Sequence, residues 1–302
     1  AKWATKIADA TNHSWPRRAI GMNGEVVVKA KPVRLLTLSL GYDEITFALV
    51  EPKRVIAVGA VSADSHYSNV AEIVKGIPNR VKREAEAIIA TGSDLVVADE
   101  FTKPELVQQL TKAGLTVVQS DISSSVEAYA DNIRFLAYIY GEEERGEKLV
   151  REVRARLDRV AAIIGKKQTS ERKHVLYLMS GGYVPGSDTS IDGIIRLAGG
   201  VNAAAEAGLK GFKQIGIESI VQMRPDMLII QDEDAAKVKQ DILGNSALSE
   251  VPAIKNNQVF TINFRYIDTL SHWNVRGVEE LARLLYPKDF AGMEFPDFKY
   301  QW

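Results

Sequence analysis

Cysteine is absent from the 302-residue sequence, which removes disulfides, thiolate metal sites and cysteine nucleophiles together. Histidine is scarce: only His13, His66, His174 and His272 occur. Charge of one sign is not in excess either, with 38 Lys and Arg against 39 Asp and Glu and a net charge of −1. A nucleic-acid partner needs clustered cations to neutralise phosphates, so none is expected. No apolar run approaches the roughly 18 to 20 residues of a membrane span. Contact with a membrane is therefore expected only through a partner or a lost lipid anchor. The chain opens at Ala1 with neither Met nor an apolar leader. A targeting segment is expected to be missing from it, by trimming or by processing.

Catalytic signatures are lacking as well. GSDTS (186–190) and SGGY (180–183) are the nearest approach to a nucleophile or phosphate motif. Neither is GxSxG, GxGxxG or GxxxxGK[ST], and serine beside glycine usually marks a turn. The expectation is a binding protein with no catalytic residue and no catalytic cofactor, and an enzyme on an α/β fold is the weaker alternative. A bare Zn or Mn ion binder is another. Such a site usually collects three His, whereas His174 opens an expected strand and His13 precedes the first lobe.

The most informative feature present is an internal repeat. Residues 86–100 read EAIIATGSDLVVADE and residues 218–232 read ESIVQMRPDMLIIQD. In each, a Glu opens an apolar helical turn, an Asp follows eight positions later, and four apolar residues come next. Short continuous apolar runs suit strands buried on both faces of a parallel sheet. VRLLTLSLG (33–41) and HVLYLMSGG (174–182) form a second pair, each a strand entering a glycine-containing turn. Residues 115–120 and 259–264 supply a closing strand to each unit. The fold class is α/β: two doubly wound lobes with a ligand cleft between them, built on units near 30–122 and 172–287.

Between the units the pattern becomes helical. Ser124 or Ser125 can cap a helix carrying Val126, Tyr129, Ile133, Leu136 and Tyr140 on one face, with Gly141 as its stop. A second helix over 142–164 carries Leu149, Val153, Leu157, Val160 and Ile164 at spacings of three and four. At ~1.5 Å per residue it reaches on the order of 35 Å, enough to cross two lobes. The expected organisation is an N-terminal extension (1–29), a first lobe with its closing helix (30–141), a backbone helix (142–165), and a second lobe with tail (166–302). One stiff crossover permits rocking rather than wide opening.

Ligands of doubly wound units sit beyond the carboxyl ends of the strands. The loops expected there are 39–43, 59–68, 78–80 and 100–103 in the first unit. In the second they are 180–185, 211–213, 231–234 and 265–273. They hold Tyr42, His66, Tyr67, Arg80, Tyr183, Phe212, Lys213, Arg265, Tyr266, His272 and Trp273. Aromatics and cations together suit a large, flat or anionic ligand held by stacking and charge-assisted bonds. Each is equally an ordinary rim or core residue.

Over about residues 30–290 the chain resembles the substrate-binding proteins of ABC importers for iron complexes and cobalamin, the group with a single helix between lobes. The resemblance rests on PVRLLTLSLGYDEITFAL, RVIAVG, EAIIATGSDLVVADE, IDGIIRLAGGVNAAAE, IESIVQMRPDMLIIQ and VEELARLLYPKDF. It implies a periplasmic or surface-exposed carrier that delivers an iron chelate, haem slightly ahead of a ferric siderophore, with cobalamin as the alternative. It also implies that Glu86 and Glu218 dock on basic pockets of a permease dimer, although each is also a carboxylate favoured at a helix N-terminus. Haem-binding members often carry a ligating Tyr just before the first repeated helix. Here that loop reads IPNRVKRE, without Tyr. Tyr67, Tyr183 and His66 are then the candidate iron ligands, Tyr67 foremost. Tyr266 and Trp273 would offer stacking surface, and Arg80 and Arg265 cations for the propionates.

Overall fold

Apolar strands too short to hide both faces alone are the starting constraint, and pairing them side by side under helices solves it. The computed structural model describes residues 2–122, 125–231 and 235–302. The expected cap at Ser124 and the loop 232–234 lie outside those residues. In chain order the strands are β1 (Arg17–Gly21), β2 (Gly24–Val28), β3 (Leu35–Thr37), β4 (Leu95–Ala98), β5 (Val117–Gln119), β6 (His174–Leu178), β7 (Tyr183–Pro185), β8 (Val201–Asn202), β9 (Phe212–Gln214), β10 (Met227–Ile230) and β11 (Val259–Phe260). A parallel sheet β3-β4-β5 builds the first lobe, and a parallel sheet β11-β10-β6-β8 builds the second. β1 and β2 form an antiparallel hairpin, joined to β5 by the Met22 N–H donating to the Gln119 carbonyl. β7 and β9 pair as a short antiparallel ribbon. Every residue of β4 and of β10 is buried, as a strand covered on both faces requires.

The internal repeat has a concrete structural meaning. Asp94 accepts the N–H groups of Val33 (2.8 Å) and Arg34 (3.0 Å) at the mouth of β3. Asp226 accepts the N–H of His174 (2.8 Å) at the mouth of β6. Each Asp sits between a repeated helix (Ala85–Ala90 or Ile217–Met223) and the strand after it. Its side chain therefore fixes the register of the neighbouring strand in both lobes.

The two expected helices are present, over Tyr129–Tyr140 and Glu143–Ile164. Ser125 leads into a 3-10 turn at Val126–Ala128 and does not cap it through its side chain. Gly141 ends the first helix at φ 71°, a left-handed conformation suited to glycine. The elbow after it is pinned by two buried arginines. Arg17 donates to the Tyr138 carbonyl (2.6 Å) and to Glu143 (2.7 Å). Arg54 reaches the Tyr140 carbonyl (2.8 Å) and the Glu142 carboxylate. The 22-residue helix that follows crosses from one lobe to the other, burying Leu149, Val153, Val160 and Ile164.

A second tie between the lobes is not expected from the sequence. After β11 the chain returns through the turn 268–273 to the first lobe. The carbonyl of Leu270 lies 2.4 Å from where a Cβ on Gly41 would stand, an approach only glycine permits. Tyr129 donates its hydroxyl to Asn274, and Trp302 donates its indole N–H to the Phe47 carbonyl (2.8 Å). At the centre lies Glu44, fully buried on helix Leu40–Leu49. One carboxylate oxygen accepts the hydroxyls of Thr269 and Ser271 from the returning segment. The other accepts the backbone N–H (2.9 Å) and side-chain amide (2.6 Å) of Asn69. Apolar packing is continuous through this junction, from Tyr42 and Ile45 through Tyr129 and Leu149 to Tyr266 and Val278.

Burial raises the Glu44 carboxyl from its usual 4.5 to about 7, against the opposing pull of these hydrogen bonds. Asp43, beside it, is raised from 3.8 to about 7, and the half-buried Tyr300 lies near Glu44 on the C-terminal tail. The folded protein thus holds this proton more tightly than the unfolded chain does. The stability contribution is full below 4.5 and is lost as the pH rises through about 7. Glu44→Gln should remove that dependence. The stability of the wild type relative to the variant is expected to fall by on the order of 2–3 kcal/mol between about pH 5 and 8 in urea unfolding. A difference that stays constant with pH would contradict the assignment.

Candidate functional site

The carboxyl ends of the strands in both lobes hold the residues that chemistry would select for ligand capture, and two of the expected loops meet. His66 stacks on Phe264 with ring centroids 5.0 Å apart and planes 16° apart. Tyr67 meets Phe264 edge-on at 5.3 Å and His66 edge-on at 4.8 Å. Phe264 begins the short helix Phe264–Ile267 beyond β11. Asn69 closes the contact, donating its side-chain amide to the Arg265 carbonyl (2.9 Å). His66, Tyr67 and Arg265 are half-buried. The Nε2 of His66 is buried with no hydrogen-bond partner, which is uncommon for a polar atom.

Beside this cluster a small cavity of about 50 Å³ opens at the end of β3, lined by Ser39, Asp43, Gly59, Ser62 and Arg83 among others. Asp43 accepts hydroxyls from Thr37 (2.6 Å) and Ser62 (2.7 Å). Arg83 donates to the Leu38 carbonyl and lies 3.5 Å from Asp99. Sequence reasoning took Arg80 from the loop IPNRVKRE and passed over Arg83 three positions later. Arg80 gives its guanidinium to carbonyls of its own loop, at Val74 (3.0 Å) and Ile77. Arg83 is the cation at the cavity. Phe264, not expected from the sequence, is 3% exposed and orders His66 and Tyr67 from beneath.

Three aromatics expected in the cleft are packed away. Tyr42 is 1% exposed and donates its hydroxyl to the Ser120 carbonyl. Tyr266 is buried, stacked on Trp273 at 6.1 Å and bonded to Asp297 (2.7 Å). Trp273 is buried too, its indole N–H donated to Tyr300 (2.6 Å). Tyr266 and Trp273 form the joint between the returning segment and the tail, Tyr42 closes against the end of β5, and all three are buried. His272 is fully buried among Trp273 and Phe298; burial, then the nearby Arg156, lowers its pKa to about 3, so it stays neutral.

Tyr183 and Lys213 are exposed on the ribbon, but on opposite faces. Tyr183 pairs with Gln214 and Val184 with Lys213, so alternation sends Lys213 to the Val184 side. A ligand lying on the Tyr183 face meets Phe212 rather than Lys213. Among the described residues no group of three or more His, Asp or Glu is placed to hold a metal ion. Nor is any helix among them long and apolar enough to cross a membrane.

Glu86 and Glu218 stand exposed in the first turns of the two repeated helices. Neither takes part in an ion pair among the described residues. Their equivalence follows from the Asp94 and Asp226 contacts, which set both helix–strand units in the same way.

Residues 35–266, most of the chain, match the periplasmic binding protein family. The sequence is 27% identical over 274 residues to the uncharacterized ABC transporter substrate-binding lipoprotein YvrC of Bacillus subtilis, covering 89% of this chain and 84% of that one. It is 25% identical over 268 residues to a cobalamin-binding protein of Halobacterium salinarum, covering 87% and 71%. Among solved structures, the apo form of the periplasmic heme-binding protein RhuT from Roseiflexus superposes with a TM-score of 0.73 at 27% identity, covering 85% of this chain and 98% of that one. The matching profile, the two-lobed architecture and the shared length lead to one conclusion: the chain belongs to the periplasmic binding protein family and is a substrate-binding protein of an ABC importer, a carrier and not an enzyme.

Proposed function

We propose that this carrier works outside the cytoplasmic membrane and delivers an iron chelate, haem ahead of a ferric siderophore, to its permease. The observation that carries the reading is the cluster where the lobes meet: Phe264 stacked with His66, Tyr67 at its edge, and Arg265 alongside. It combines two half-buried metal donors and a half-buried cation, held in place by the buried ring of Phe264. A phenolate from Tyr67 suits ferric iron, a hard acid. The unsatisfied His66 Nε2 makes imidazole a second donor. Similarity to the heme-binding protein of Roseiflexus, at 27% identity, supports haem. Tyr183, exposed on the second lobe, is the third candidate donor.

Cobalamin is the second reading, supported by the name of the Halobacterium relative. A corrinoid brings its own ring donors and asks less of the protein's metal ligands. Visible spectra separate the cases after titration with haemin or cyanocobalamin. A Soret band that grows to saturation is expected with haemin, and Tyr67→Phe should shift that band and weaken binding more than Tyr183→Phe does. Saturable binding of cyanocobalamin without haemin binding would overturn the haem reading and leave cobalamin.

Glu86 and Glu218 are the proposed docking acids for a permease dimer. Two like carboxylates, one per lobe and without an ion pair among the described residues, suit two cationic sockets related by a two-fold axis. Reversing either to Lys should abolish uptake, with chelate affinity kept within about twofold since the helices lie outside the cluster. Intact uptake alongside a tenfold loss of chelate affinity would contradict the assignment.

A further inference from the structure

Each docking acid is followed one helical turn later by an exposed aliphatic side chain, and the pattern is the same in both lobes. The first helix reads Glu86-Ala87-Ile88-Ile89 and the second Glu218-Ser219-Ile220-Val221. The third residue of each run is buried under its lobe, Ile88 at 0% and Ile220 at 4% exposure. The fourth faces outward, Ile89 at 39% and Val221 at 38%. Positions i and i+3 share one helix face, so carboxylate and aliphatic group lie side by side on both helices.

Single exposed aliphatics are ordinary on a protein surface. These two differ in recurring at equivalent positions of a structural repeat, with matched exposure, beside carboxylates that have no ion-pair partner among the described residues. The lobe beneath gives no reason for the match, because Ile88 and Ile220 already fill the inward position.

We infer that Ile89 and Val221 are the apolar anchors of the permease interface, each entering a socket that pairs a cation with an apolar rim. The inference rests on the docking reading of Glu86 and Glu218 and adds a division of labour to it. Exposed charges steer the encounter and fix register, with an effect that salt weakens. Apolar side chains buried at the centre of an interface set how long the complex lasts.

The test is binding of the unloaded full chain to its transporter's permease dimer, reconstituted in lipid nanodiscs and followed by surface plasmon resonance at low and high salt. Ile89→Ser and Val221→Ser should each weaken binding roughly 3- to 10-fold through faster dissociation, with the loss independent of salt. The double variant should approach the product of the two. Ile89→Thr and Val221→Thr, which keep the branched shape, serve if either serine variant melts early. Val27→Ser on β2, a side chain of 39% exposure elsewhere, should bind as wild type. Single variants within twofold of wild type, while Glu86→Lys and Glu218→Lys lose binding, would overturn the anchors and leave the docking acids standing. Lys variants that bind like wild type would overturn the docking reading and the anchors with it.

Discussion

The carboxylate of Glu44 is the contact on which the arrangement of the lobes depends. Four donors converge on its two oxygens, and they come from the 60s loop of the first lobe and from the segment returning out of the second. Removing the carboxylate would strip all four donors of this acceptor, at a cost of about 1–3 kcal/mol for each one left unsatisfied. The helix Glu143–Ile164 runs between the lobes, and the Glu44 contacts tie the segment returning from the second lobe to the first. The pinned elbow at Gly141 and the apolar packing through Tyr129 and Val278 make that junction stiff. Stiffness matters for a carrier, because the spacing of the groups that meet the permease must survive loading.

That spacing is also a product of the duplicated design. Asp94 and Asp226 hold equivalent strands in equivalent register, so the helices before them present Glu86 and Glu218 alike. The ligand side is not symmetric. The first lobe brings His66, Tyr67 and Arg83, whereas the second brings Phe264, Arg265 and the Tyr183 ribbon. Symmetry on the outer face and asymmetry between the facing loops suit the proposed two-fold partner and the proposed single chelate.

Much of the frame was legible in the sequence because periodicity reports burial. Leu149, Val153, Leu157, Val160 and Ile164 recur at helical spacing, and all but the half-buried Leu157 are buried. The four-residue apolar runs became β4 and β10. The cleft was less legible, for a physical reason: an aromatic at a strand end looks the same whether it meets a ligand or closes a lobe joint. Tyr42, Tyr266 and Trp273 close joints. The return of the tail could not be read either, since Phe298, Tyr300 and Trp302 belong to no helix or strand and find their places only in three dimensions. Arg80 and Arg83 share one loop, and only the folded chain shows that Arg83 lines the cavity while Arg80 turns back on Val74 and Ile77.

The claim that a buried carboxylate fixes the lobes is tested most directly by an interlobe distance. The absence of native cysteine lets spin labels be placed uniquely at Lys112→Cys in the first lobe and Asp241→Cys in the second, both exposed positions. Double electron–electron resonance on the unloaded protein should give one narrow distance distribution, and Glu44→Ala in the same labelled background should broaden it. A broad or two-peaked distribution with Glu44 intact, or no change on its removal, would contradict the account.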